Sequence, residues 1–417
     1  MLRLFAKREA SRALCYSQKP ISIVVPTVGY RSSNKVALAM RSFGTIVEDE
    51  THCKNVARQM IQYALGFARS QKSGEKYSQA LMILEQGINN LHVGNSTDST
   101  AMLLLAMSTL LYESGDLQDA MEKLKMVHQL DNASLALKVA AWEGLIGLNL
   151  ETGQDITSSV LANDCFQLLN TSSEGNSSSL NVLLSRAKAM QGLTQLALGQ
   201  LESGNTTLCQ GELSHATGNL SLAKDLYQKV INLHEKEDVS GNSFLPSANM
   251  ISEEVLLGAT CALGQLFSLS GNFSEAEEML TKALTKAESH FGSPHPKIGV
   301  ILTCIAMMYK RKAKLEASSS ILIQEGLYRR ALDMLKAPAL DSEDSDRQLG
   351  KRDVIALARG GYAEILCIQQ NRKEEGDRMK KWAEAAWRNR RMSLADALEI
   401  SEPNKPAVID TRICRVL

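Results

Sequence analysis

The stretch from Leu257 to Ala283, LGATCALGQLFSLSGNFSEAEEMLTKA, constrains the fold more than any other part of the chain. Apolar and small residues recur every three or four positions through Leu263, Gly264 and Phe267, stop at Gly271, and resume through Phe273, Ala276, Leu280 and Ala283. That period belongs to two amphipathic helices joined by a tight turn. One such hairpin cannot bury its own apolar face, so the chain must supply neighbours that stack on it.

Gly264, Phe267, Gly271, Ala276, Leu280 and Ala283 stand at the spacing of the tetratricopeptide repeat, which this hairpin resembles. The resemblance implies an all-α fold, a right-handed superhelical solenoid of hairpins whose first helices line a concave groove.

Weaker copies of the pattern extend along residues 51–390. A first pair runs through Ala57, Met60 and Ala64 and then Tyr77, Ala80 and Leu84, and a second matches through Leu104, Met107, Leu111, Gly115, Ala120 and Leu124. In the third, Trp142 takes the bulky first-helix position, Gly153 marks the turn, and Ser158 stands where an alanine is expected. Polar breaks near 171–210 surround a long helix over 183–201, so an extra or elongated helix is expected before Gly218, Ala223 and Tyr227 restore the repeat. A further loop spans 234–250, and Ser252, Glu253 and Glu254 open the hairpin described above. Ala306 and Tyr309 then begin a repeat whose turn glycine is delayed to Gly326, ahead of Tyr328 and Ala331, which places an insertion near 311–325. A last pair covers about 353–369 and 373–390, and residues 391–417 read as a tail. The Gly-x-x-His-Pro run at 292–296 resembles the start of the longer repeats of kinesin light chains, which implies a turn role for His295.

The composition agrees with helix throughout: 44% apolar residues, 5% aromatics and 8 prolines. Lys and Arg number 46 against 46 Asp and Glu, so the whole chain exerts no net pull on nucleic acid or anionic membrane. The positive charge is concentrated at one end. Residues 1–42 hold Arg3, Lys7, Arg8, Arg12, Lys19, Arg31, Lys35 and Arg41 against the single acid Glu9, and are rich in serine. They resemble a mitochondrial presequence, with a chloroplast transit peptide or a basic disordered tail of a cytoplasmic protein as alternatives. No apolar run approaches the ~20 residues of a membrane span.

Nothing in the sequence carries the signature of an enzyme or a cofactor site. P-loop, Rossmann, HExxH and GxSxG patterns are lacking, and the eight cysteines form neither a CxxC pair nor a cluster with histidine, so neither metal nor cofactor is expected. The glycine pair in ARGGYAE, 358–364, reads as close helix packing, and His215, His234, His290 and His295 read as cap or solvent residues. The expected function is therefore non-catalytic protein binding, a scaffold of a mitochondrion, possible plant origin included, with a cytosolic adaptor and an organellar RNA-binding protein as alternatives. One or more proteins would bind the concave groove, for which Gln265, Ser268, Lys310 and Arg311 are the candidate residues. Gly115, Ala120, Trp142, Gly218, Ala223, Gly264, Phe267, Gly271, Ala276, Tyr309 and Ala331 are assigned to packing between and within repeats. A neutral array with repeats of unequal length argues against single-stranded RNA.

Overall fold

A computed structural model describes residues 50–71, 73–92, 96–171, 178–200, 207–236, 247–317, 320–340, 351–399 and 406–417. The expected targeting segment, 1–42, lies outside them. The described residues form an all-α solenoid of paired hairpins: α1 (Glu50–Gln71) with α2 (Gly74–His92), α3 (Thr97–Ser114) with α4 (Leu117–His128), and α5 (Leu135–Glu151) with α6 (Asp155–Thr171). After α7 (Ser178–Ala197) come α8 (Thr207–Ala216) with α9 (Leu220–Lys236), α10 (Ser252–Leu269) with α11 (Phe273–Phe291), α12 (Pro296–Leu315) with α13 (Ile321–Met334), and α14 (Arg352–Ile368) with α15 (Lys373–Ala386). A short α16 (Leu394–Leu398) precedes a two-stranded ribbon of β1 (Ile409–Asp410) and β2 (Arg415–Val416).

The hairpins turn where the sequence places glycine. Gly115 adopts φ +94° at the end of α3, which lets its own N–H donate to Tyr112 and the next one to Leu111. That arrangement closes the orphan carbonyls of the helix, and a side chain at this φ would be strained. Gly271 does the same between α10 and α11. Inside the hairpins small residues set the helix separation. A Cβ on Gly264 would lie 2.7 Å from Leu280 Cγ, and Ala120, Ala223, Ala276 and Ala331 are fully buried. Where the alanine is missing in α6, Ser158 is buried in its place, its hydroxyl donating to the carbonyls of Gln154 and Ile146.

The irregular regions resolve as follows. The segment after residue 171 contains a whole extra helix: α7 packs on α6 and on α5, and α8 then begins the next hairpin. The insertion near 311–325 lengthens α12 to Leu315. The last second helix stops at Ala386, four residues short of the expected end, because Trp387 is extended and its indole N–H donates to the Met392 carbonyl. The glycine pair is a packing device: Cβ atoms on Gly360 and Gly361 would meet Leu398 of α16 at 2.7 Å and the Tyr328 hydroxyl at 2.4 Å.

The array curls until its beginning meets its fifth hairpin, α10 with α11. Arg69 at the end of α1 faces Glu253 at 3.8 Å, the Tyr112 hydroxyl donates to Glu254 at 3.1 Å, and Glu113 faces His290 at 3.4 Å. This closure turns the concave side into an interior, and the first helices that line it are buried almost all round. From Ser99 to Glu113 every residue of α3 is buried.

Candidate functional site

Two pieces of the chain fill the groove between the first helices. One is Ser247–Ile251, just before α10. Ser247 donates its hydroxyl to the Ala140 carbonyl, and Ala248, at φ +51°, donates its N–H to Thr109. The segment fits because α5 carries Gly144 and Gly147 beneath it: a Cβ on Gly147 would lie 2.2 Å from Asn249 Oδ1, and one on Gly144 would lie 2.6 Å from Ser247 Oγ.

The other is 406–417, PAVIDTRICRVL, which the sequence pattern leaves as part of a tail. Its strands pair antiparallel, Ile409 opposite Val416 and Asp410 opposite Arg415, around a turn in which Cys414 has φ +53°. Val408, Ile413 and Leu417 enter an apolar cluster with Ile146, Leu150, Met190 and Leu193. Burial of each such side chain contributes on the order of 1.5–3 kcal/mol.

The polar contacts to this ribbon come from the first helices and from Asn249, Asp155 and Arg391. Gln265 of α10 holds Ile409 at both ends of its peptide unit: Nε2 donates to the carbonyl at 2.9 Å, and Oε1 accepts from the N–H at 2.8 Å. Arg412 donates to both oxygens of Glu212 on α8, at 2.8 and 2.7 Å, and to its own neighbour Asp410. Its carbonyl accepts from Lys297 Nζ at 3.0 Å and from Asn249 Nδ2 at 3.2 Å. Lys297 also donates to Glu254 at 2.6 Å, and Asn249 to Glu151 at 3.1 Å. Arg415 forks onto Asp155 at 2.6 and 3.2 Å, and the Leu417 carbonyl accepts from Arg391 at 2.5 Å.

These charges stand in a low-dielectric interior, and their acidities follow. Burial pushes Glu254 up to about 7 and Glu212 up to about 8, in spite of the cation beside each. Burial also opposes the charges of Lys297 and Arg412, but the carboxylates facing them outweigh it and hold both above their ordinary values. Glu113 sits below the ordinary carboxylate range: burial works against its charge, and His290 and Arg69 overcome that. An open cleft of about 480 Å³ remains at the ends of the first helices, lined among others by Tyr77, Tyr112, Glu113, Glu151, His295 and Lys351.

Of the four candidate groove residues, the structure brings Gln265 and Ser268 together on α10, both buried, with Gln265 on the ribbon backbone. Lys310 lies elsewhere, bonded to the Leu398 carbonyl at 2.8 Å and to Glu364 at 2.5 Å. Burial pushes the Arg311 pKa below its ordinary value, partly opposed by Tyr328 beside it. The histidines divide as well. His295 caps α12, its Nδ1 accepting from the Lys297 N–H, but His215 is buried against the Tyr227 hydroxyl and not solvated; the side chain of His234 lies outside the described residues. Glu254, expected only as a first-turn acid, is fully buried on Lys297. The residues missed, Glu151, Glu212, Glu254 and Lys297, share one feature: each lies on a first helix that is buried on nearly every side. Among the described residues no cluster is arranged to hold a metal ion and no helix is long and apolar enough to cross a membrane.

The tetratricopeptide repeat family matches residues 256–297, which span α10, α11 and the turn into α12. The chain is a tetratricopeptide-like helical-repeat protein. Its remaining hairpins carry the same architecture with looser patterns, and no curated protein matches the chain.

Proposed function

We propose that this repeat protein is a non-catalytic scaffold that binds other proteins through its concave groove and works in mitochondria. The observation that carries the reading is the grip of Gln265 on both backbone atoms of Ile409, an extended segment held by a first-helix side chain. Contacts of that kind are how helical-repeat grooves take peptides. The groove lining is rich in carboxylates, among them Glu113, Glu151, Glu212 and Glu254, which weighs against single-stranded RNA as its ligand. The mitochondrial part rests on the basic, serine-rich residues 1–42, and a plant organelle is compatible with the same segment. The kinesin-light-chain-like reading rests on Gly292, which ends α11 at φ +87°, and on His295 and Pro296, which start α12.

The test is affinity purification and proximity labelling of the full-length protein, with imaging of a carboxy-terminal fluorescent fusion. The expected result is a reproducible set of mitochondrial protein neighbours. A cytosolic signal unchanged by deleting residues 1–42 would sink the import reading, and a set dominated by RNA and ribosomal components would overturn the preference for protein.

A further inference from the structure

The ribbon 406–417 has the character of a bound peptide more than of a repeat. It is joined to α16 through residues 400–405, its two strands pair only with each other, and no helix of its own anchors it. Its contacts with the solenoid fall into two kinds. Three apolar side chains, Val408, Ile413 and Leu417, provide adhesion. The others are polar: Gln265, Lys297, Asn249 and Arg391 hold backbone, Glu212 reads Arg412, and Asp155 reads Arg415.

The surface beneath the ribbon is suited to being uncovered. Glu151, Glu212, Glu254, Gln265, Lys297 and Asn249 would be hydrated once it left, and buried ion pairs add little net stability because desolvation offsets their attraction. The charges are complementary: carboxylates of Glu212 on α8 and Asp155 on α6 face the two arginines of the ribbon.

We propose that residues 406–417 are an intramolecular ligand of the groove, closing it until a protein segment of the same chemistry displaces them. That chemistry is two apolar residues followed by Asp-x-Arg, with a second Arg three positions on. Gln265 makes no demand on side chains, so specificity lies in the two arginines and the apolar anchors. The inference rests on the reading of the groove as a protein-binding site, and narrows the partner to a segment that carries those arginines.

The experiment uses the full chain with a protease site placed within 400–405, and a fluorescent synthetic peptide of residues 406–417 as the probe. After cleavage the probe should exchange into the groove, while the uncut chain should exclude it. A probe with Arg412→Ala should bind on the order of a hundredfold more weakly, the scale for losing one partner of a buried charge pair. The proposal is overturned if the cut protein stays folded and takes up no probe, or if cut and uncut chains take it up equally. Hydrogen exchange on the uncut chain keeps the test valid should the cut protein unfold. The amides of Ile409 and Leu417 should exchange faster than those in the middle of α10 and α12, and equal protection would show that the ribbon leaves only on global unfolding, overturning the proposal. None of these readouts needs a natural partner, so a failed affinity purification would count against the scaffold reading alone.

Discussion

The second helices and the first helices of this solenoid solve different problems. In α11 the buried residues Phe273, Ala276, Leu280, Ala283, Leu284 and Ala287 form one stripe, and Glu275 and Glu278 on the other face are exposed. That is the pattern of a helix with one partner side and one wet side. In α3, and nearly so in α10 and α12, the helix is buried all round, polar residues included. The difference shows that the concave side of this array is covered. A groove open to water would leave the first helices a polar face; here Ser247–Ile251 and 406–417 take its place, and the buried charges pair with each other, Lys297 with Glu254 and Arg412 with Glu212.

The comparison is broken most severely at the buried ion pair. Lys297→Met should destabilise the protein by about 3–5 kcal/mol, because it leaves Glu254 without its cation in the interior. The loss, read by denaturant titration, should be smaller at pH 6 than at pH 8.5, since Glu254 takes up a proton near 7. An equal loss at both values would mean that Glu254 is not the group left unpaired. Gly264→Leu tests packing inside a hairpin and not the groove. With Leu280 2.7 Å from the added Cβ, overpacking should cost roughly 1–3 kcal/mol. Thermal unfolding identical to wild type would contradict this placement.

A pH scan sharpens the contrast further. Glu212 and Glu254 have ordinary values near 4.5 when solvated, and burial raises them to about 8 and about 7 in the fold. The folded state therefore holds their protons to higher pH than the unfolded chain does. Their contribution to stability is fully present below about 4.5 and is lost as pH rises through 7 and 8. The melting temperature should fall between pH 6 and pH 8.5, and Glu212→Gln should flatten part of that slope. The groups facing Glu212 are Arg412 and Asp410; those facing Glu254 are Lys297, Tyr112, His290 and Glu151. The smallest effect belongs to the wet side: Glu278→Ala on α11 should change stability by no more than about 0.5 kcal/mol. A larger loss there would mean that the outer face is engaged as well.

Much of the hairpin architecture was legible because its causes are local. Gly115 and Gly271 mark turns that need a left-handed backbone, and Gly264 and Ala276 mark close helix approach, at spacings set by the helix period alone. The site was only partly legible. Gln265 could be placed on the groove face from its position on α10, but Lys310, a few residues beyond the corresponding stretch of α12, turns toward α14 and α16. Nothing local distinguishes the two, since the difference depends on where α16 and the ribbon 406–417 lie.

The sequence by itself determined that this chain would stack helical hairpins, since period, turn glycines and small contact residues act over a few positions. The tertiary structure decided what fills the groove. Glu212 and Arg412 stand 200 positions apart, and Gln265 and Ile409 stand 144 apart. Their pairing depends on how far the whole array curls, a sum of small angles between hairpins that no single motif encodes.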